Sequence, residues 1–334
     1  QVFLDRAPIE AEQVQREVQA RRPDMLICDV NSWGSPAVAE AAGIPWVMFC
    51  PYFSWLPGKG APPFGPGMKP LANPIGRIRD SAINKAMLMM MNRKFLAPLN
   101  ELHGNLSAPV ITGFEQLWHR APRILYMTVP ELEYERELPL SFSFVGPINW
   151  APEAPTPSWL DRIENPLVLV TASTEYQQDE RLLQTALDAL ADEPVSVVAT
   201  AAGTDSAGYR VPTNARVEPF VAHEPLLEWA DSVICHGGMG ITQKALSHGV
   251  PVCTVGWGRD QLESGRRVEV AGAGVLLPRK KLSTEALRDA WRSARTKRDG
   301  AARIARAIAK APGAPGAADL IETEIRSPPA PQPS

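Results

Sequence analysis

The sequence predicts two α/β domains, each built on a parallel sheet, and three observations predict it. The chain has 334 residues, more than one compact core ordinarily holds. Short apolar runs alternate with helix-like stretches, the pattern of strands joined by crossover helices. A proline-rich segment, Ile148 to Ser158 with Pro152, Pro155 and Pro157, divides the chain as a semi-rigid linker does.

The elements follow in order. Ile9 to Arg21 reads as a helix, and after Pro23 the run Met25–Cys28 reads as a strand with Asp29 just past its end. Ser35 to Ala42 reads as a second helix, with Ser35 as cap and Pro36 in the first turn. Trp46–Phe49 is the next strand, and so short a crossover implies a parallel pair. Residues 51–74 form a Pro- and Gly-rich loop carrying Tyr52, Phe53, Trp55 and Phe64; loops of such length usually have a function. Residues 75–103 read as a long helix with a methionine-rich middle, followed by apolar runs at Ile124–Met127 and Phe142–Val145. Beyond the linker, strands are expected at Leu167–Thr171, Val195–Thr200, Val233–Cys235, Val252–Val255 and Val275–Leu277. Helix-like stretches separate most of them, as in a doubly wound domain. The tail from Ser327, rich in proline, is expected to be disordered.

Composition narrows the function. The formal net charge is -3 and the pI about 6.0, so no basic surplus exists to neutralise a nucleic-acid backbone. Cys28, Cys50, Cys235 and Cys253 form no C-x-x-C pair, and three lie in apolar runs. They read as reduced, buried cysteines of a cytoplasmic protein. No apolar run is long enough to span a bilayer, and no secretory leader pattern is present.

Three stretches carry chemistry. His236-Gly237-Gly238-Met239-Gly240-Ile241-Thr242 lies between the Val233–Cys235 strand and a helix. Glycines at such a turn let a phosphate approach the backbone, and the helix dipole favours its charge. His236 can donate to a phosphate oxygen; the plainer alternative is a tight glycine turn with a polar cap. Asp260-Gln261 follows the Val252–Val255 strand, and an adjacent carboxylate and amide suit the vicinal hydroxyls of a hexose, although an acidic helix cap would look the same. Phe220-Val221 precedes the His236 strand, where an aromatic beside a free backbone edge can stack on a base and pair with it; a strand end packing on the core is the alternative.

In order and spacing these stretches resemble the donor-binding region of family 1 glycosyltransferases, the UDP-glycosyltransferase superfamily, most closely its bacterial natural-product and macrolide branch. The likeness centres on Arg216–Leu277 and extends through Ala37–Pro51, Phe144–Pro147, Val168–Gln177 and the final helix. It implies a GT-B architecture, two Rossmann-like domains facing across a cleft. Residues 1–147 would form the acceptor-binding domain, 148–158 the linker and 159–310 the nucleotide-sugar domain. Residues 311–326 would return as a helix towards the first domain, leaving 327–334 as the tail. The resemblance assigns His236, Gly237, Gly238, Gly240 and Thr242 to the pyrophosphate, with Ser173 and Thr174 lining the phosphate side. It assigns Phe220 and Val221 to the base, and Asp260 and Gln261 to the sugar. Ile241 and Gly256 depart from the family's usual Thr and Pro. The aromatic loop residues Tyr52, Phe53 and Trp55 are the candidates for an apolar acceptor.

The resemblance implies an inverting transfer from a UDP- or dTDP-sugar to a hydroxyl of a small apolar acceptor such as a natural product or lipid, without metal or cofactor, by a monomer or homodimer. An inverting enzyme needs a base, usually His. In the family that His follows the first strand and is oriented by an Asp, which Asp29 matches. The five histidines, His103, His119, His223, His236 and His248, all follow Asp29. The opening strands of the first domain are therefore expected to be missing, and a non-catalytic nucleotide-sugar-binding protein of the same fold is the alternative. A Rossmann dehydrogenase is disfavoured, because no intact G-x-G-x-x-G is followed by an acidic residue at the right distance.

Overall fold

The computed structural model describes residues 1–71, 73–151, 154–172, 180–201 and 208–326. Ser173, Thr174 and the tail 327–334 lie outside the described residues.

The first half opens with α1 (Val2–Arg21), which runs through Pro8 and so begins earlier than its periodicity suggests. It crosses α2 (Ser35–Ala42) at close range: a Cβ on Gly34 would stand 2.3 Å from the Ala7 carbonyl oxygen. Gly34, not Ser35, is the cap residue of α2, and the Ser35 hydroxyl instead donates to the Glu10 carboxylate. Strands β1 (Leu26–Asp29), β2 (Trp46–Cys50), β3 (Ile124–Tyr126) and β4 (Phe142–Phe144) pair in parallel in that order. β1 is an edge strand, and Ile27 is 53% exposed on it. The long helix α3 (Pro74–Leu106) is capped by Asn73, whose side chain accepts from the Gly76 amide at 2.8 Å. Beneath it Trp33, Trp55, Phe95, Phe114 and Trp118, the last on α4 (Gln116–His119), pack edge to face or tilted.

The second half holds six parallel strands: β5 (Leu167–Thr171), β6 (Ser196–Thr200), β7 (Ala215–Glu218), β8 (Ala230–Cys235), β9 (Val252–Gly256) and β10 (Gly274–Pro278). Their spatial order is β10-β9-β8-β5-β6-β7, so the winding reverses between β5 and β8. Every residue of β5 and β9 is buried, which explains their unbroken apolar runs: helices cover both faces of a parallel sheet. The connections include α5 (Glu180–Leu190), α6 (His223–Trp229), α7 (Met239–Ser247), α8 (Gln261–Val270) and α9 (Thr284–Arg295). After α10 (Arg298–Lys310), α11 (Gly313–Arg326) packs Ala317 on Leu125 and Val145 of the first half. There Glu324 accepts from Arg123 Nε at 2.7 Å.

The two halves share one apolar cluster, running from Trp33 and Met48 through Tyr126 and Leu132 to Leu226, Val233 and Ile304. At the start of the segment between them, Lys244 Nζ of α7 donates to the Trp150 carbonyl at 2.9 Å. In the second core, the fully buried Trp291 of α9 fills the space against the sheet and donates Nε1–H to Ser232 Oγ at 2.9 Å. Trp291→Ala is expected to lower stability by about 3–5 kcal/mol, from the lost transfer energy and the cavity left behind, as measured by urea unfolding.

Candidate functional site

In an open α/β sheet ligands bind beyond the carboxyl ends of the strands, beside the point where the winding reverses. Here β8 ends at Cys235, next to β5, and the following residues are His236 to Gly240. Gly237 has φ +90, a conformation that favours glycine, and a Cβ there would come within 3.0 Å of the Gln261 carbonyl oxygen. A Cβ on Gly238 would strike His236 Nε2 at 2.4 Å, so the imidazole lies flush against that turn. Gly238 is the cap residue of α7, and no side chain caps the helix. Gly240 is exposed, with open space where a side chain would project. The first turn of α7 therefore presents its amides beside a glycine surface. Thr242 is turned inward: it is fully buried, its hydroxyl 4.0 Å from Cys235 Sγ.

The α8 N-terminus abuts this turn through Gly237 and Gln261. Asp260 is its cap residue, and Arg259 before it has φ +52. Asp260 Oδ2 is buried with no hydrogen-bond partner among the described residues. Burial raises the Asp260 carboxyl above its ordinary range, against the pull of Arg259. Gln261 faces inward, its Oε1 accepting from the amides of Trp257 at 2.7 Å and Gly258 at 3.1 Å. The structure thus places Asp260 at the site and uses Gln261 to shape the loop that carries it.

Phe220 and Val221 follow β7 on the same edge of the sheet; Phe220 is 72% exposed and Val221 packs on the core. Of the acceptor candidates Tyr52 is the most exposed, at 39%, and Trp55 is partly buried. Phe53 is buried 4.4 Å beneath the Arg267 guanidinium, and Trp55 belongs to the aromatic cluster under α3. Asp29 accepts from the Asn31 amide at 2.7 Å through Oδ1, closing the turn after β1. His103 bonds the Pro109 carbonyl, His223 bonds Thr200 and His248 bonds Glu224. All four cysteines are buried thiols, and burial pushes Cys235 up to about 11, out of the range of a nucleophile at neutral pH.

Pattern alone does not disclose the seam between the halves. Arg267 of α8 is 2% exposed and donates to Glu133 Oε1 at 2.7 Å and to Glu263 Oε2 at 3.0 Å. It is stacked between Phe53 and Tyr134. Glu133 also accepts from the Tyr126 hydroxyl, and Glu263 Oε1 accepts from the amides of Gly65 and Gly67 at 2.7 and 2.8 Å. The four-residue spacing of Glu263 and Arg267 was a visible signal, but such pairs ordinarily lie on solvated helix faces. A cavity of about 870 Å³ opens on the other side of this seam, lined by Arg77, Glu131, Arg136 and Arg303 among others.

This is a two-domain Rossmann-type assembly with a glycine turn at a helix N-terminus and an adjoining carboxylate oxygen that no described donor satisfies. Residues 184–322 match the family described as "Erythromycin biosynthesis protein CIII-like, C-terminal domain". The 4'-demethylrebeccamycin synthase of Lentzea aerocolonigenes is 32% identical over 309 residues, covering 90% of this chain and 73% of that protein. A PGL/p-HBAD biosynthesis rhamnosyltransferase of Mycobacterium bovis is 38% identical over 161 residues, covering 48% of this chain and 36% of that protein. Among solved structures, the glycotransferase of kitacinnamycin superposes with a TM-score of 0.77 at 20% identity, covering 97% of this chain and 81% of that one. The glycosyltransferase VinC in complex with dTDP gives 0.69 at 22% identity, covering 98% and 80%. The chain belongs to the family 1 GT-B glycosyltransferases of the natural-product branch. It is a sugar-transferring enzyme by family, and the non-catalytic alternative finds no support in these relatives.

His223, at the start of α6 beside Phe220–Val221, gives the region a pH signature. Burial, aided by Lys244, lowers its imidazole to about 4. The unfolded chain then takes up a proton near pH 6.5 that the folded chain refuses until about pH 4. Stability is complete above pH 6.5 and falls through that window, by about 3 kcal/mol. Urea unfolding at pH 7.5 and pH 4.5 should show this loss in the wild type and a correspondingly smaller one in His223→Asn.

Proposed function

We propose that the protein is an inverting glycosyltransferase that takes a sugar from a nucleoside-diphosphate donor and places it on a hydroxyl of a small, largely apolar acceptor such as a natural product or lipid. The observation that carries this is the contact between the glycine turn at α7 and the α8 terminus that holds the open Asp260 oxygen. A pyrophosphate on the first suits a sugar on the second: the amides favour its negative charge, and sugar hydroxyls are the donors Asp260 Oδ2 lacks. His236, Gly237, Gly238 and Gly240 form the phosphate cradle in this reading, with Thr242 supporting it from below; Ser173 and Thr174, outside the described residues, are the further candidates for the phosphate. Phe220 stacks on the base and the Val221 backbone pairs with it. Asp260 holds the sugar, and Gln261 holds the loop.

The dTDP bound to VinC supports a dTDP- or UDP-linked donor. On the acceptor side Tyr52 is the contact residue, with Phe53 and Trp55 packed behind it. Asp29, at the carboxyl end of β1, orients the base that deprotonates the acceptor hydroxyl. Buried, reduced cysteines fit a cytoplasmic enzyme.

Isothermal calorimetry with UDP and dTDP tests the cradle. Binding should be indifferent to EDTA, and His236→Ala should weaken it by roughly 10- to 100-fold, the worth of one charge-assisted hydrogen bond. An unchanged affinity in that variant refutes the assignment. Asp260→Ala should weaken UDP-glucose or dTDP-glucose by roughly tenfold more than the free diphosphate, again one hydrogen bond to a charged group. Equal losses for both ligands would remove Asp260 from the sugar site.

A further inference from the structure

We propose that Glu263 is a positioning residue that couples the donor-sugar end of α8 to the loop 51–74, so that a sugar held at Asp260 orders the acceptor side of the cleft. The inference rests on the donor site proposed above. Glu263 stands one turn along α8 from Asp260, and the amide of Ser264 bonds the Asp260 carbonyl at 2.9 Å, so the two residues share the helix's first turn. Its side chain is buried and fully engaged. One oxygen accepts from Gly65 and Gly67, and the other accepts from Arg267.

The loop meets α8 at several further points. A Cβ on Gly67, where φ is +62, would stand 2.7 Å from the Leu262 carbonyl oxygen. Arg266 Nε donates to the Gly67 carbonyl at 2.7 Å, and Lys69 pairs with Glu269 at 3.3 Å. The same loop begins with Tyr52, and Phe53 lies beneath Arg267. Loop residues 65–69 are therefore fastened along α8, whose first turn carries the open carboxylate.

The bonds give the coupling its direction. Two backbone amides on one buried carboxylate oxygen form a charge-assisted pair that holds only while α8 and the loop keep their spacing. Asp260 Oδ2 has no partner among the described residues, so the first turn of α8 lacks one of its restraints until a hydroxyl donor arrives. A ligand that fixes that turn makes the Gly65 and Gly67 bonds less costly to keep, which is coupling through order rather than displacement. A free nucleoside diphosphate lacks the hexose hydroxyls and leaves the turn as it was.

Hydrogen exchange of peptides spanning 64–69, with UDP-glucose, dTDP-glucose and the free diphosphates, is the test. In the wild type the nucleotide sugar should slow exchange there by roughly fivefold or more beyond the diphosphate, the range of local opening equilibria. In Glu263→Gln that extra slowing should vanish while UDP and dTDP affinities stay within about twofold. Should Glu263→Gln lose its folded circular-dichroism spectrum, Arg266→Ala decides, because it removes the bond to Gly67 and leaves the buried carboxylate alone; it should at least halve the response. Donor binding with an unresponsive loop, or a full response in the folded variant, overturns the coupling and spares the donor site. No binding of any of these nucleotides by the wild type overturns both.

Discussion

The arrangement depends on one buried cation. Removing the Arg267 guanidinium from water would cost several kcal/mol were it alone. Burial by itself pulls its pKa down, but Glu133 and the neighbouring tyrosines outweigh that, and it is held above the ordinary arginine range. Each carboxylate has further donors: Tyr126 and the Tyr134 amide on Glu133, and the glycine amides on Glu263. The cluster joins β3, the segment after it, the loop after β2 and α8 at one point. Replacing Arg267 would leave two buried carboxylates without their cation, a larger loss than the pairs' own net contribution. An apolar seam would let the halves slide; this one fixes their register.

That register places the donor site. Parallel strands all end on the same edge, so the loops after β7, β8 and β9 meet there whatever their sequences. The chain uses the meeting place with little formal charge. The proposed anion-binding surface consists of helix amides, glycine backbone and one histidine, on a protein whose net charge is -3. Backbone dipoles do not repel one another across a core as clustered lysines would, and they need no side-chain entropy to hold their aim. Geometry requires glycine at two positions that matter here. Gly237 adopts φ +90 against the α8 terminus, and Gly34 lets α1 touch α2.

The repeating strand-and-helix order was legible because β5, β9 and the Val233–Cys235 end of β8 are buried on both faces and so read as near-continuous apolar runs. β7 escapes the same logic. It lies at the sheet's edge, none of its residues is fully buried, and Arg216 pairs with Glu218 along it, so it reads as a polar connection. α1 was legible only from Ile9, because Pro8 looks like a break although the helix continues through it. At the site, motif spacing located His236, the glycines, Asp260 and Gln261, since their positions follow from strand ends. It did not tell which way a side chain turns. Gln261 and Thr242 face inward, and Phe53 and Trp55 serve the core, because loop residues are assigned inside or outside by contacts far away in sequence. The Arg267 cluster depends on residues more than a hundred positions apart, and no local pattern announces it.

Local inconsistencies in a folded chain tend to collect where a ligand resolves them. Among the described residues three non-glycines have positive φ. Arg22 and Ser107 close α1 and α3 in the left-handed conformation that helix ends commonly take, their amides returning to helix carbonyls. Arg259 ends no helix; it adopts that conformation at the start of one, where extended backbone is usual. Directly after it comes Asp260, with a raised pKa and an oxygen that no described donor satisfies. Beside it Gly237, in a conformation that favours glycine, packs against Gln261. In the proposed donor site a ligand accounts for the combination: a sugar diphosphate would donate hydrogen bonds to that carboxylate and carry negative charge towards α7.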